Sequence, residues 1–300
     1  MTTTTQSSVT PTAALRSRTH REERARGRRS TSVPAGDQYR SRLRPFLRQL
    51  ALRLIVPVLL LAAWWAASQS AVAGMVVADP ASSFGRFVEE FVVGSSTAEH
   101  LLPSVGRALS GLLLAVVAGV LIGVLLGSSR ILAALFQPLV HLGRSLPSAA
   151  LIGVFFFVFG IGDYPKIFLI AFTVVWPILL NTMDGVSSIG EVRSQAARVF
   201  RIPARDVFTH IVLPGAAPKI FAGVRTSMSL ALIIMIISEL QKSDNGLGYQ
   251  LVSYQRIFDF EGFWSVLIVL AIVGVLFNVV FTTIERRILA WHRGATAQND

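Results

Sequence analysis

Twenty residues, Gln195 to Pro214 (QAARVFRIPARDVFTHIVLP), have the spacing of a docking element. Val192, Ala196, Val199 and Phe200 fall near one face of a short helix, and Val207, Phe208, Ile211 and Val212 near one face of a second. Pro203 suits the first turn of the second helix, where its missing N–H costs nothing, and Pro214 is expected to stop it. An apolar strip flanked by Arg and Asp fits either a groove on a soluble partner or a layer of lipid headgroups. Other chemistry is poorly supplied. The chain has no cysteine, which excludes disulfides, thiolate catalysis and Cys-ligated metals. Its histidines, His20, His100, His141, His210 and His292, include no pair at ligand spacing, so no metal site is expected. No Ser/His/Asp cluster or carboxylate pair suggests catalysis. No GxxxxGK[ST] loop is present, so no ATP site of that type and no cofactor are expected.

The elements that must position this segment are membrane spans. Of the 300 residues, 52% are hydrophobic and only 15% charged, against about 25% charged in soluble domains. A span needs about 20 apolar residues. Six stretches answer that description, at about 52–70, 108–128, 145–161, 166–183, 219–239 and 263–285. Within them ionisable residues are scarce: Asp163, Arg225 and Glu239 lie only near span ends. A proton- or ion-coupled carrier would need more. The 184–219 loop carries Arg193, Arg198, Arg201, Arg205 and Lys219, whereas the 79–107 and 239–261 loops are acidic on balance. The positive-inside rule therefore places both termini and the 187–216 loop in the cytoplasm. Phe84, Phe87, Val88 and Phe91 give the external 79–100 segment a short amphipathic helical pattern.

Residues 1–48 read as a disordered basic cytoplasmic tail, since the first 53 residues hold twelve arginines against Glu22, Glu23 and Asp37. That charge suits an anionic inner leaflet; no reader module or interleaved aromatics point to nucleic acid. In the second span Gly111, Ala115, Gly119, Gly123 and Gly127 recur every four residues, a stripe that lets another helix approach closely.

The 195–214 segment resembles the EAA loop of ABC importer permeases: E-A-A, three residues, G, nine residues, I, one residue, L-P. Ala196, Ala197, Ile211, Leu213 and Pro214 match in register; Gln195 stands for the Glu and Arg201 for the Gly. Ser145-Leu146-Pro147, Phe159-Gly160-Ile161-Gly162, Pro165-Lys166-Ile167, Asn181-Thr182, Ser238-Glu239 and Gly246-Leu247-Gly248-Tyr249 resemble the nitrate/sulfonate/taurine branch. The resemblance covers about Leu50 to Trp291. It implies an all-α membrane protein with six transmembrane helices and the type I ABC importer permease fold. It also implies a coupling helix at the elbow, with Gln195, Ala196, Ala197, Phe200, Arg201, Pro203, Ile211, Leu213 and Pro214 facing a cytoplasmic ATPase. The implied partners are ABC ATPase subunits, a second permease (a copy of this chain, or alternatively a paralogue) and an extracellular substrate-binding protein. The implied cargo is nitrate, a sulfonate, taurine or a related small organic molecule. Asn181, Met228, Ser229 and Glu239 are candidates for contacts with the path or gate, set against packing or loop anchoring. A glycine suits a left-handed turn between two helices, and Arg201 at that place costs about 1 kcal/mol.

Overall fold

The computed structural model describes residues 54–71, 73–189, 199–241 and 243–290. The basic tail and Gln195, Ala196 and Ala197 of the elbow lie outside the described residues. The described chain is all helical. Residues 54–63 belong to a separate compact unit from Trp64 onward, and they begin helix α1 (Leu54–Ser68).

From Trp64 the order is as follows. α2 (Pro80–Phe87) runs on through a wider turn, Val88–Val93. α3 (Leu102–Gly127) follows, then α4 (Arg130–Ser145) and α5 (Ser148–Phe159). The long helices α6 (Asp163–Ser187) and α7 (Leu213–Glu239) come next, then the short α8 (Leu247–Arg256) and α9 (Phe260–Ile288). Four helices are long and apolar enough to cross a membrane, or six if each of two bent pairs is one span. The stretch expected as a third span, 145–161, holds the single helix α5, which is bent sharply away from the preceding helix. α4 and α5 meet at 96° around Leu146-Pro147, because the residue before a proline is driven out of the helical region. α5 has 12 residues, about 18 Å of helix, too short to cross alone.

The glycine row of α3 sets the core. A methyl group added at Gly111 would lie 2.6 Å from Ile170, at Gly119 2.9 Å from Ile178, at Gly123 2.7 Å from Thr182, and at Gly127 2.9 Å from Val186. Each partner lies fifty-nine positions further on, so α3 and α6 run parallel, backbone nearly against backbone. Parallel neighbours require the chain to travel back between them, and the α4–α5 pair makes that return. α7 packs antiparallel to α6: Gly185 abuts Ala216, Gly223 abuts Pro177 and Ile178, and Ser227 Oγ donates to the Val174 carbonyl at 2.7 Å. Ile170, Val174, Ile178, Ala231 and Met235 fill the resulting core and are buried.

Proline entry explains two local distortions. Pro103 and Pro214 sit in the first turns of α3 and α7, each preceded by a widened turn, Thr97–Leu101 and Phe208–Val212. The residue before each proline bonds five residues back, Leu102 to Thr97 and Leu213 to Phe208. That spacing relieves the clash between the proline ring and the preceding turn. Pro214 therefore does not stop the elbow's second helix, contrary to the sequence-based expectation. That helix starts at Ala204 and continues through the wide turn into α7.

Candidate functional site

The antiparallel seam of α6 and α7 gives the bundle two distinct ends. At one end lie the last turn of α6, the first turn of α7 and the elbow. Here Val199 and Phe200 are exposed, Phe200 at 76%. Arg201 has φ +51°, the left-handed region that glycine normally fills. The chain thus keeps the turn geometry that its residue type disfavours. Pro203 follows in an exposed turn, and its carbonyl accepts from the Asp206 and Val207 amides at 2.9 and 3.1 Å, opening the next helix. Ile211 is half-buried and lines a cavity of about 370 Å³ together with Gly127, Arg130, Val186 and Phe208. Leu213 is exposed and Pro214 half-buried beside it. Among the described residues, links between helices at this end are few. Lys219 Nζ donates to the Asp184 carbonyl at 3.1 Å, and Arg225 pairs with Glu285 of α9 while lying 5.7 Å from the Phe281 ring centre.

The opposite end is a buried charge cluster that spacing alone did not reveal. Arg107 of α3 is 4% exposed. Its Nε donates to Asp163 Oδ1 at 2.6 Å, its Nη1 to Glu239 Oε1 at 2.5 Å, and its Nη2 to the Asn245 side-chain oxygen. Glu239, 1% exposed, accepts further bonds from Ser104 Oγ at 2.8 Å and from the Gly248 amide at 3.1 Å. The same Ser104 oxygen accepts from the Leu247 amide at 2.8 Å, and His100 Nδ1 accepts from the Gly246 amide at 3.1 Å. Three side chains outside α8 thus satisfy the free amides at its N-terminus, and a carboxylate there is favoured by the helix dipole. The glycines follow from this. A methyl group at Gly246, where φ is +114°, would lie 2.5 Å from the Glu239 carboxylate, and one at Gly248 2.7 Å from its Cβ. Lys166 Nζ donates to Ser243 Oγ at 2.7 Å, and Ser243 in turn donates to the Asn245 carbonyl at 2.6 Å.

A peripheral layer lies beside this cluster. Asp79 caps α2 through the Ala81 amide at 2.9 Å, and Asp259 caps α9 through Gly262 at 2.9 Å. Arg86 pairs with Glu90 at 2.8 Å, and the Tyr254 hydroxyl donates to Glu90 at 2.6 Å. Burial and that hydrogen bond push the Tyr254 phenol above its ordinary range. Trp64 and Trp264 stack with centroids 4.8 Å apart, and their ring N–H groups donate to the carbonyls of Ala78 and Val76.

The four path candidates are therefore scattered. Asn181 is half-buried, with its amide donating to the Pro177 carbonyl at 2.8 Å. Met228 is buried and Ser229 exposed on α7. Glu239 holds the loop between α7 and α8. Arg107 and Lys166, absent from the candidate set, are the residues it converges with. Their signal is periodicity. Arg107 is one turn before Gly111 on the same four-residue row, and Lys166 one turn before Ile170 on the row of α6 that the glycines touch.

Comparison with known proteins fits this arrangement. Residues 115–290 match the family described as binding-protein-dependent transport system inner membrane component. The taurine transport system permease protein TauC of Escherichia coli is 26% identical over 83% of this chain and 92% of its own. The nitrate import permease protein NrtB of Synechococcus elongatus is 33% identical over 54% of this chain and 60% of its own. A chain of the MetNI methionine ABC transporter, solved in inward-facing conformations, superposes with a TM-score of 0.56 at 18% identity, over 63% of this chain and 94% of that one. The family match spans more than half of the sequence, so the chain belongs to the inner-membrane components of binding-protein-dependent transport systems and is a multi-pass permease subunit of an ABC importer.

Proposed function

We propose that this permease carries a small oxyanion, a sulfonate such as taurine or nitrate, and that its 187–216 elbow receives the stroke of a cytoplasmic ATPase subunit. The substrate reading rests on the likeness to TauC and NrtB. The elbow reading rests chiefly on one observation. Val199 and Phe200 stand exposed beside Arg201 in a left-handed turn, next to a cavity lined by Phe208 and Ile211. An exposed aromatic on a tight helical elbow is an anchor for a groove. ATP hydrolysis belongs to the partner, and an extracellular binding protein delivers the cargo to the charged end of the bundle. Two copies of the chain form the pathway. The alternative, pairing with a paralogous permease, draws on Gln195 and Arg201, which depart from the family pattern.

Because the chain has no cysteine, a single Phe200→Cys variant reports on this surface cleanly. In the complex purified with its ATPase, Phe200→Cys should cross-link to a cysteine scanned along the ATPase surface, and nucleotide should change the yield. Cross-linking to lipid probes alone, with none to the ATPase at any scanned position, would assign the elbow to the headgroup layer. The mass of the same complex separates two copies from a mixed pair.

A further inference from the structure

We propose that the pocket of about 170 Å³ at the start of α6 is a binding station for the oxyanion group of the transported solute, with Lys166 holding it. The inference rests on the small-anion reading above and deepens it by naming the residues.

The α3–α6 ladder supplies the first argument. Its contacts pair Gly111, Gly119, Gly123 and Gly127 each with a residue fifty-nine positions on, so the next rung beyond Gly111 and Ile170 brings Arg107 level with Lys166. Both cations are buried, at 4% and 3% exposure. Buried charges require compensation, yet Glu239 is the one buried carboxylate among the described residues. Asp163 and Asp244 also line the pocket, but both are exposed, and water and salt weaken their hold on a buried cation. Asp163 and Glu239 both pair with Arg107, whereas among the described residues no carboxylate lies within 4 Å of the Lys166 ammonium.

Donor accounting says which cation is available. Arg107 has committed all three nitrogens, to Asp163, to Glu239 and to Asn245. Lys166 has three N–H groups, and among the described residues it donates to Ser243 alone. The pocket also reaches the start of α6, whose cap residue Gly162 offers no side chain to the free amides. A buried ammonium with donors to spare favours an anion. The volume suits a nitrate or a sulfonate head and is below the range of about 300–1,000 Å³ usual for whole drug-sized ligands. This is the size of a station on a path. Its location at the end away from the elbow is where cargo would arrive.

The test uses the full permease–ATPase complex in nanodiscs of phosphatidylcholine, without binding protein. An environment-sensitive dye on Asp244→Cys, the sole cysteine of this chain, is titrated with methanesulfonate and with nitrate, with chloride as control. A saturable response to either oxyanion at least tenfold tighter than to chloride is expected. Lys166→Gln should weaken it at least tenfold, whereas Lys166→Arg should restore it to within about threefold. Ile161→Glu, a change at a residue 78% exposed on the pocket rim, should also weaken it at least tenfold and keeps the test open if Lys166→Gln does not assemble. No response, a response equal to that of chloride, or one indifferent to both substitutions would overturn the proposal. So would saturation by phosphatidylglycerol with none by methanesulfonate, which would assign the pocket to lipid headgroups. Binding-protein-driven uptake of taurine and nitrate, measured in parallel, separates the two levels. Uptake without pocket binding removes the station and leaves the anion reading intact. Absence of uptake of either anion removes the anion reading itself.

Discussion

The two ends of the α6–α7 seam are built on opposite plans. At the Glu239 end, charged and polar groups from α3, α6, α7 and the loop before α8 are buried and bonded to one another. At the elbow end, apolar side chains stand exposed and, among the described residues, links between helices are few. The first end is completed largely from within the chain; the second leaves apolar side chains uncovered among the described residues. The contrast teaches where to look for each kind of failure. Loss of the buried Arg107–Glu239 pair should act on folding, and damage at the elbow on coupling.

Arg107→Ala should have the largest effect. It leaves Glu239 buried without its cation, and breaking such a pair costs about 3–5 kcal/mol. Membrane-inserted permease should fall several-fold, measured by quantitative blotting. Normal abundance would show that the cluster is not what holds this end together. Glu239→Gln is milder because the amide retains hydrogen-bonding capacity. Uptake should drop while the affinity of the binding protein for its ligand stays unchanged. At the elbow, Phe200→Asp should reverse the pattern, with wild-type abundance and at least tenfold lower uptake, because an exposed anchor contributes to docking and not to the core. A loss of abundance equal to that of Arg107→Ala would erase the distinction between the ends. Gly123→Val tests the seam between them. Its side chain meets Thr182 and the Leu179 carbonyl, and overpacking of this kind costs about 1–3 kcal/mol, visible as a lower melting temperature of the purified complex. The smallest effect should come from Arg201→Gly, which removes about 1 kcal/mol of left-handed strain and should leave uptake within twofold.

Much of the helical plan was legible in the sequence because lipid imposes long apolar runs. The turn at Arg201 was legible because its spacing from Ile211, Leu213 and Pro214 puts a glycine position there, and φ at Arg201 is +51°. The break at Leu146-Pro147 was harder to place. Arg144-Ser145 interrupts the apolar run just before it, but the 96° bend itself is marked only by the restriction that a proline puts on its neighbour. The continuation through Pro214 was missed for a related reason. A proline in a first turn is compatible with a helix that enters it by a wider turn. The charged cluster was hidden because Arg107 and Lys166 fall at the borders of the expected spans at about 108–128 and 166–183. Arg107 extends the row of Gly111 and Gly119, and a charge on the same row as a close-packed glycine stripe is carried into the bundle with it. Glu239 was visible as a residue of interest, but its partners come from α3 and from the loop after α7, a convergence that periodicity in one helix cannot show.

The close approach of α3 and α6 has a mechanical meaning. With little but side-chain tips between their backbones, the two helices have almost no compliance against sliding, and α3 alone, at 26 residues, is about 39 Å long. They form a single stiff strut running from the cavity beside the elbow to the rung of Arg107 and Lys166. A tilt imposed at one end is delivered at the other without being absorbed on the way.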